Sequence, residues 1–183
     1  MMTPNAQISM DERARRLQLM AFDIDGTLTD GTIRMGSQGE LYKNFSVHDG
    51  LGLVWLREAG IEVAFITGRS SAIVAFRAQE LQVSVVMQGV GDKAQALRQL
   101  CTERGISLGA CGFMGDDYPD LPALRIAGLA ATVPGAPTAL QEAAHWQATR
   151  AAGQGAAREL AELILHARGD LDRITARFDG RQS

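Results

Sequence analysis

Short apolar runs alternate with amphipathic segments along most of this chain. The apolar runs predict buried strands at residues 17–23, 61–67, 83–87, 111–114 and 129–133. Between and after them, apolar positions recur at helical spacing and predict helices at residues 51–59, 70–81, 92–104, 119–127, 137–143 and 156–167. Strands that alternate with helices favour a parallel sheet. We therefore predict an α/β fold with a Rossmann-like parallel sheet and helices on both faces.

A second pattern lies between the first strand and the first helix. Residues 32–35 and 40–45 flank the turn-forming segment Gly36-Ser37-Gln38-Gly39 and predict a β-hairpin arm. This hairpin and the following helix use nearly all the residues between the first two long strands, so we predict no cap domain. We expect a flexible N-terminal segment at residues 1–16, one domain at residues 17–168 and a frayed C-terminal tail at residues 169–183.

Composition and charge narrow the possible functions. The 183-residue chain carries a formal charge of −3 with acids and bases intermixed, which argues against a nucleic-acid partner. Its apolar runs are too short to cross a bilayer, and the N-terminal residues do not follow the pattern of a secretory signal. We therefore expect a cytoplasmic protein with no membrane partner. Cys101 and Cys111 predict buried free thiols rather than a disulfide framework.

Polar residues follow the predicted strands in a suggestive order. Asp23 and Asp25 end the first strand, Thr67 ends the second, and Asp116 follows the fourth, while Lys93 begins a helix. In open α/β sheets, ligands bind at the carboxyl ends of the strands. Two acids one residue apart repel each other unless a cation lies near, and Mg²⁺ suits such oxygen ligands. Taken singly, each residue is also compatible with a solvated turn or a surface lysine.

In order and spacing, these motifs resemble the haloacid dehalogenase superfamily of aspartate-nucleophile phosphohydrolases, in its capless subfamily. The resemblance covers about residues 17–168. Within the superfamily it is strongest to the phosphatases of 3-deoxy-D-manno-octulosonate 8-phosphate. It rests there on Phe45-Ser46-Val47-His48-Asp49-Gly50, on Ile66-Thr67-Gly68-Arg69 and on residues 150–159.

The resemblance implies a role for each motif. Asp23 would be the nucleophile, Asp25 the general acid and base, and Thr67 and Lys93 would stabilise the phosphoryl group. Mg²⁺ would be held by a carboxylate oxygen of Asp23, the backbone carbonyl of Asp25 and Asp116. The expected supporting residues are Asp117 and Asp120. The expected substrate-binding residues are Ser46, Val47, His48, Asp49, Gly50, Gly68, Arg69 and Arg77.

The substrate implied by the resemblance is a small phosphorylated sugar acid. The chain departs from the family pattern at His48 and Val54, where arginine is usual. A nonulosonate 9-phosphate of the sialic-acid type or a broader set of sugar phosphates therefore remains an alternative. A noncatalytic phosphate-binding scaffold is a more remote one. The resemblance also implies a homotetramer assembled through the hairpin, with the C-terminal segment helping to close the site. A solvated arm is the alternative for the hairpin.

Overall fold

The structure is a computed structural model that describes residues 8–178 and Gly180. In chain order, the strands are β1 (Leu19–Phe22), β2 (Arg34–Gly36), β3 (Gly39–Tyr42), β4 (Glu62–Ile66), β5 (Val85–Met87), β6 (Cys111–Gly115), β7 (Leu129–Thr132) and β8 (Trp146–Gln147). The helices are α1 (Met10–Arg16), α2 (Val47–Glu58), α3 (Ala72–Glu80), α4 (Lys93–Arg104), α5 (Leu121–Ile126), α6 (Thr138–Ala143), α7 (Ala156–Arg168) and α8 (Leu171–Thr175).

Six strands form a parallel sheet in the order β5-β4-β1-β6-β7-β8. Successive side chains of a strand point to opposite faces, so the fully buried β1 contributes to two cores. Met20 and Phe22 pack with residues of α2, α3 and α7, whereas Leu19 and Ala21 pack with residues of α4, α5 and α6. The predicted parallel sheet with helices on both faces is confirmed.

The sheet register brings the polar strand ends together. Phe22 is level with Phe65 of β4 and with Met114 of β6 on either side of β1. The backbone amide of Asp23 donates to the Met114 carbonyl at 2.9 Å, which extends the pairing one residue beyond the strand. The residues that follow β1, β4 and β6 therefore lie along one edge of the sheet.

The predicted hairpin is confirmed as an antiparallel pair, β2 with β3, that forms a separate two-stranded sheet. Its side chains Met35, Leu41 and Tyr42 are exposed. The sequence did not predict β8, because a two-residue strand leaves almost no pattern to detect. Cys101 and Cys111 are both free and buried, as predicted. Among residues 8–178 and 180, no helix is long and apolar enough to cross a membrane.

The expectation of a flexible segment at residues 1–16 is wrong for residues 10–16, which form α1. Ser9 caps this helix by accepting the Glu12 amide, and Ala14 is fully buried in the core. The Arg13 guanidinium also donates to the Gly128 carbonyl at 2.5 Å. One small apolar residue among charged neighbours is a weak sequence signal, which explains the error. Residues 1–7 of that expected segment lie outside the described part.

The expected frayed tail is also corrected over residues 169–178. This segment forms α8 and a single 3₁₀ turn, Ala176–Phe178. Phe178 lies against Trp55 of α2 with ring centroids 6.1 Å apart, and the Arg177 guanidinium pairs with Glu58 at 2.9 Å. These partners are distant in sequence, so the contacts that order the segment could not be read from its own composition. Residue 179 and residues 181–183 of the expected tail lie outside the described part.

Helix α2 begins four residues earlier than predicted, at Val47, so the expected substrate-binding residues 46–50 form its N-cap and first turn. Ser46 caps the helix, its hydroxyl accepting the amides of His48 and Asp49 at 3.2 and 3.3 Å. Two glycines made the segment resemble a loop, but they allow close packing instead. A Cβ at Gly50 would lie 2.3 Å from the Arg77 guanidinium, and one at Gly52 would lie 3.1 Å from the α7 backbone.

Candidate active site

The predicted catalytic residues meet at the carboxyl edge of the sheet. Asp23, Thr67 and Asp116 each directly follow a strand, respectively β1, β4 and β6, and Lys93 is the first residue of α4. Asp23, Thr67 and Lys93 are buried, and Asp116 is partly buried. Buried ionisable groups must be paired or hydrogen-bonded, so their contacts indicate how the site is held together.

Lys93 is the central cation of this cluster. Its ammonium lies 2.7 Å from Asp23 Oδ1 and 2.5 Å from Asp120 Oδ1. Asp92 sets the start of the helix by accepting the Gln95 amide at 2.9 Å. Burial lowers the pKa of Lys93, but the two aspartates outweigh it and raise the pKa above its ordinary value. Lys93 is therefore a buried, charged member of the cluster, and the surface-lysine alternative does not hold.

Asp120 braces the loop that carries Asp116. Its Oδ2 accepts the backbone amides of Asp116 and Asp117 at 3.0 and 3.3 Å, while its Oδ1 contacts Lys93. Asp117 caps the following 3₁₀ turn (Tyr118–Asp120) by accepting the Tyr118 amide at 2.8 Å. Both oxygens of Asp120 are thus engaged, which suits the supporting role expected of it.

The acids of the cluster carry more negative charge than Lys93 offsets. One carboxylate oxygen from each of Asp23, Asp116 and Asp120 lies within 4.8 Å of the others. Burial, followed by repulsion from Asp120, raises the pKa of Asp23 to about 7 and that of Asp116 to about 6. A hard divalent cation would relieve this repulsion, and carboxylate oxygens are the ligands that Mg²⁺ prefers.

The turn after β1 is shaped around Asp116. The Thr27 hydroxyl donates to Asp116 Oδ1 at 2.9 Å. Gly26 has φ +97°, and a Cβ at this position would lie 2.1 Å from Asp116 Oδ2. Only glycine can place the turn this close to the carboxylate. The acid pair, the turn and Asp116 therefore form one preorganised group that fits a Mg²⁺ site.

The Asp25 carboxylate contacts the hairpin. Its Oδ1 accepts from the Lys43 ammonium, which also lies 2.7 Å from Glu40 Oε1. Sequence reasoning missed both Lys43 and Glu40. The available signal was that Lys43 and Lys93 are the only two lysines in a chain whose other lysine-or-arginine positions are all arginine.

The expected substrate-binding residues do not all lie together. Val47 and His48 are exposed in the first turn of α2, whereas Asp49 is buried. The Asp49 carboxylate accepts the backbone amides of Gly155 and Arg158 at 3.1 and 2.9 Å. Asp49 therefore caps the start of α7 and joins it to α2.

The two expected arginines have different surroundings. Arg69 is about half exposed, and its guanidinium lies 3.7 Å from both Asp25 and Glu40. Arg77 is mostly buried, paired with Glu80 at 2.7 Å, and donates to the Ser46 carbonyl at 3.3 Å. Arg69 is thus beside Asp25 and reachable from solvent, while Arg77 holds the start of α2.

The segment before α7 supports the turn after β1. The Gly153 amide donates to the Thr27 carbonyl at 3.2 Å, and a Cβ at Gly153 would lie 2.6 Å from the Thr29 backbone. Glu159 fixes the same segment by accepting the amides of Thr149 and Arg150. The late motif at residues 150–159 therefore packs directly on the turn that carries the acids.

Comparison with known proteins agrees with this geometry. A family model described as haloacid dehalogenase-like hydrolase matches residues 71–160. The 3-deoxy-D-manno-octulosonate 8-phosphate phosphatase of Yersinia pestis is 37% identical over 90% of this chain and 88% of its own length. The chain belongs to this phosphatase family. The resemblance predicted from the sequence motifs is confirmed.

Solved structures of the family have the same fold. The enzyme of Moraxella catarrhalis, in complex with a magnesium ion, a phosphate ion and a KDO molecule, is 44% identical with a TM-score of 0.90. The match covers 92% of this chain and 97% of that one. A cobalt-bound family member from Haemophilus influenzae is 33% identical with a TM-score of 0.85, covering 87% and 94%.

Proposed function

We propose that this protein is a magnesium-dependent phosphatase that hydrolyses 3-deoxy-D-manno-octulosonate 8-phosphate to the free sugar acid and phosphate, in the supply of lipopolysaccharide precursors. The observation that carries the proposal is the buried contact of Asp23 with Lys93, beside Asp116 and Thr67 at one sheet edge. The identity and coverage shared with named phosphatases of this substrate support it.

The reaction divides into two displacements at phosphorus. In the first, an Asp23 oxygen attacks the phosphorus, the bond from phosphorus to the sugar oxygen breaks, and Asp25 gives a proton to that oxygen. In the second, Asp25 takes a proton from a water that attacks the aspartyl-phosphate, which releases phosphate and restores Asp23. Both displacements build negative charge in a site that already contains several acids.

Positive charge and donors around Asp23 would stabilise that charge. Lys93 already contacts Asp23, and the Thr67 hydroxyl and the Gly68 amide are the expected donors to phosphate oxygens. Asp23, the backbone carbonyl of Asp25 and Asp116 would hold Mg²⁺, which supplies positive charge to offset and orient the phosphate. Asp117 and Asp120 would keep Lys93 and Asp116 in place.

The sugar acid would lie on the side of Asp25, toward the hairpin and the start of α2. Arginine forks bind carboxylates and phosphates well, and Arg69 is both exposed and adjacent to Asp25. We assign Arg69 to the substrate, with Arg77 and Asp49 acting through the placement of residues 46–50. Ser46, Val47, His48 and Gly50 then border the sugar from the first turn of α2.

We also propose that the protein works as a homotetramer in the cytoplasm. The exposed apolar residues of the hairpin, Met35, Leu41 and Tyr42, support assembly through this arm. A capless site needs another surface to exclude water, and a neighbouring subunit can provide it. We retain residues 17–168 as the domain, with α1 and residues 169–178 packed against it. Fractionation of cells that express the protein would check its location.

The deciding experiment measures phosphate release with Mg²⁺ from octulosonate 8-phosphate, nonulosonate 9-phosphates and common hexose phosphates. A preference of about a hundredfold for the octulosonate, roughly 3 kcal/mol in the transition state, is expected. A preference for a nonulosonate would keep the chemistry but trace the change of substrate to His48 and Val54.

Two variants test the nucleophile in the same assay. Asp23→Asn should abolish turnover, whereas Asp172→Asn, an exposed change on α8, should not alter it. Equal turnover by wild type and Asp23→Asn would rule out Asp23. A folded wild-type protein that binds phosphate but turns over none of the panel would instead favour the scaffold alternative.

A further inference from the structure

Lys43 is a buried cation at the base of the hairpin, outside the motifs that suggested the chemistry. It directly follows β3, and its side chain is only 1% exposed. The ammonium contacts Asp25 and lies 2.7 Å from Glu40 Oε1. A buried ammonium is costly unless its charge is compensated, and these two carboxylates provide the compensation.

The two carboxylate oxygens of Asp25 have different surroundings. Oδ1 accepts from the Lys43 ammonium, whereas Oδ2 lies 3.7 Å from the Arg69 guanidinium, beyond hydrogen-bonding distance. Lys43 therefore fixes the orientation of the carboxyl plane, with Oδ2 on the side of Arg69. Proton transfer depends strongly on such placement, because the donor must lie within hydrogen-bonding distance of the leaving oxygen.

Glu40 connects this contact to two other parts of the fold. It belongs to β3 and accepts a hydrogen bond from the Ser71 hydroxyl, just before α3. The Arg69 guanidinium lies 3.7 Å from its carboxylate. The hairpin, the turn after β1 and the β4–α3 connection thus meet at one group of charged side chains. The position of the hairpin therefore determines where Lys43 can hold Asp25.

We propose that Lys43 is a positioning residue for proton transfer: it orients Asp25 and couples the placement of the hairpin to the acid–base step. The proposal rests on the proposed function, in which Asp25 protonates the leaving group. It predicts that loss of Lys43 lowers kcat/KM most for substrates whose leaving group most needs a proton from Asp25.

The kinetic test compares leaving groups in the Lys43→Met variant. The substrates are p-nitrophenyl phosphate, phenyl phosphate and octulosonate 8-phosphate, whose leaving groups need increasing protonation. The value of kcat/KM reports the first displacement. We expect it to fall about tenfold to a hundredfold for the sugar phosphate, less for phenyl phosphate and least for p-nitrophenyl phosphate. Lys43→Arg, which keeps the charge, should lose less of the sugar-phosphate activity than Lys43→Met.

An equal loss on all three substrates, or no loss, would overturn the proposal. Arg104→Met is the control: it breaks an exposed pair with Glu62, distant from Asp25 in the fold, and should leave the ratio between substrates unchanged. A wild-type protein without activity on the sugar phosphate would refute the proposed substrate, while the two aryl phosphates would still test Lys43.

A second measurement does not depend on the folding of any Lys43 variant. Because the chain contains two lysines, ¹⁵N labelling at lysine Nζ gives one signal for each ammonium. Asp25→Asn should shift the Lys43 signal and leave that of Lys93, and Asp23→Asn should do the reverse. A Lys43 signal unchanged by Asp25→Asn would overturn the proposal.

Discussion

At the scale of single residues, the site is defined by a shortage of positive charge. Lys93 contacts two of the three clustered aspartates, and burial, together with repulsion from Asp120, raises the pKa of Asp23 and of Asp116. Such a cluster would be unfavourable in a purely structural core. The same imbalance prepares it to accept a divalent cation, whose charge would then offset that of a bound phosphate.

This imbalance predicts how pH affects the metal-free protein. The pKa of Asp23 rises from 3.8 to about 7 and that of Asp116 from 3.8 to about 6, so folding favours their neutral forms. Their stabilising contribution is complete below about pH 4 and is lost as the pH rises through 6 and 7. Mg²⁺ needs the charged forms, so the Tm increase that it causes should grow from pH 5 to pH 8. Thermal melts with and without Mg²⁺ measure both effects, and a Mg²⁺-induced increase that is independent of pH would contradict this prediction.

Gly26 provides a second test at the residue scale. In Gly26→Ala, the new methyl would overlap the Asp116 carboxylate, so we expect Mg²⁺ affinity and kcat to fall at least about tenfold. The matched control is Gly135→Ala, which has a similar positive φ of +81° but no atom within 4 Å of the new Cβ. It should cost about 1 kcal/mol of stability and leave Mg²⁺ affinity unchanged. Metal titration followed by turnover distinguishes the two variants.

At the scale of elements, buried polar contacts lock the helices that surround the site. Asp49 of α2 caps α7, and the segment before α7 packs on the turn after β1. The geometry of the loops at the site therefore depends on helix packing, and the turn after β1 is supported from outside the sheet. Because α2 starts at Val47, the expected substrate-binding residues 46–50 are part of this support.

Asp49→Ala should accordingly destabilise the protein. It would leave two backbone amides at the start of α7 without their acceptor, at a cost of about 3 kcal/mol in the free energy of unfolding. Urea denaturation measures the loss, with Asp172→Ala as an exposed control that should change stability far less. An increase in KM of the folded variant would also support the proposed action of Asp49 through the placement of residues 46–50. No change in stability would contradict the capping role.

At the scale of the whole molecule, the hairpin extends from the sheet edge that carries the site to an exposed apolar surface. The base of the hairpin lies beside Asp25, and the apolar side chains of the hairpin are exposed. Assembly through the arm would then hold Lys43, and with it Asp25, in position. Oligomerisation and catalysis would be linked in this arrangement.

Substitutions on the arm test this link. Light scattering should give about four chains per particle for the wild type. Leu41→Lys places a charge on the exposed arm and should reduce the particle size together with turnover of the sugar phosphate. Gln99→Lys, an exposed change on α4, should alter neither. A wild-type monomer with full activity would refute the tetramer.

The sequence by itself determined the sheet, the helices on both faces, the hairpin and the acids, threonine and lysine of the edge. It could do so because period-two and helical patterns are local, and because strand ends in a parallel sheet share one edge. Only the tertiary structure decided the role of α1, the start of α2, the packing of Phe178 on Trp55 and the contact of Lys43 with Asp25. Each of these depends on partners distant in sequence, and no local pattern encodes such a partner.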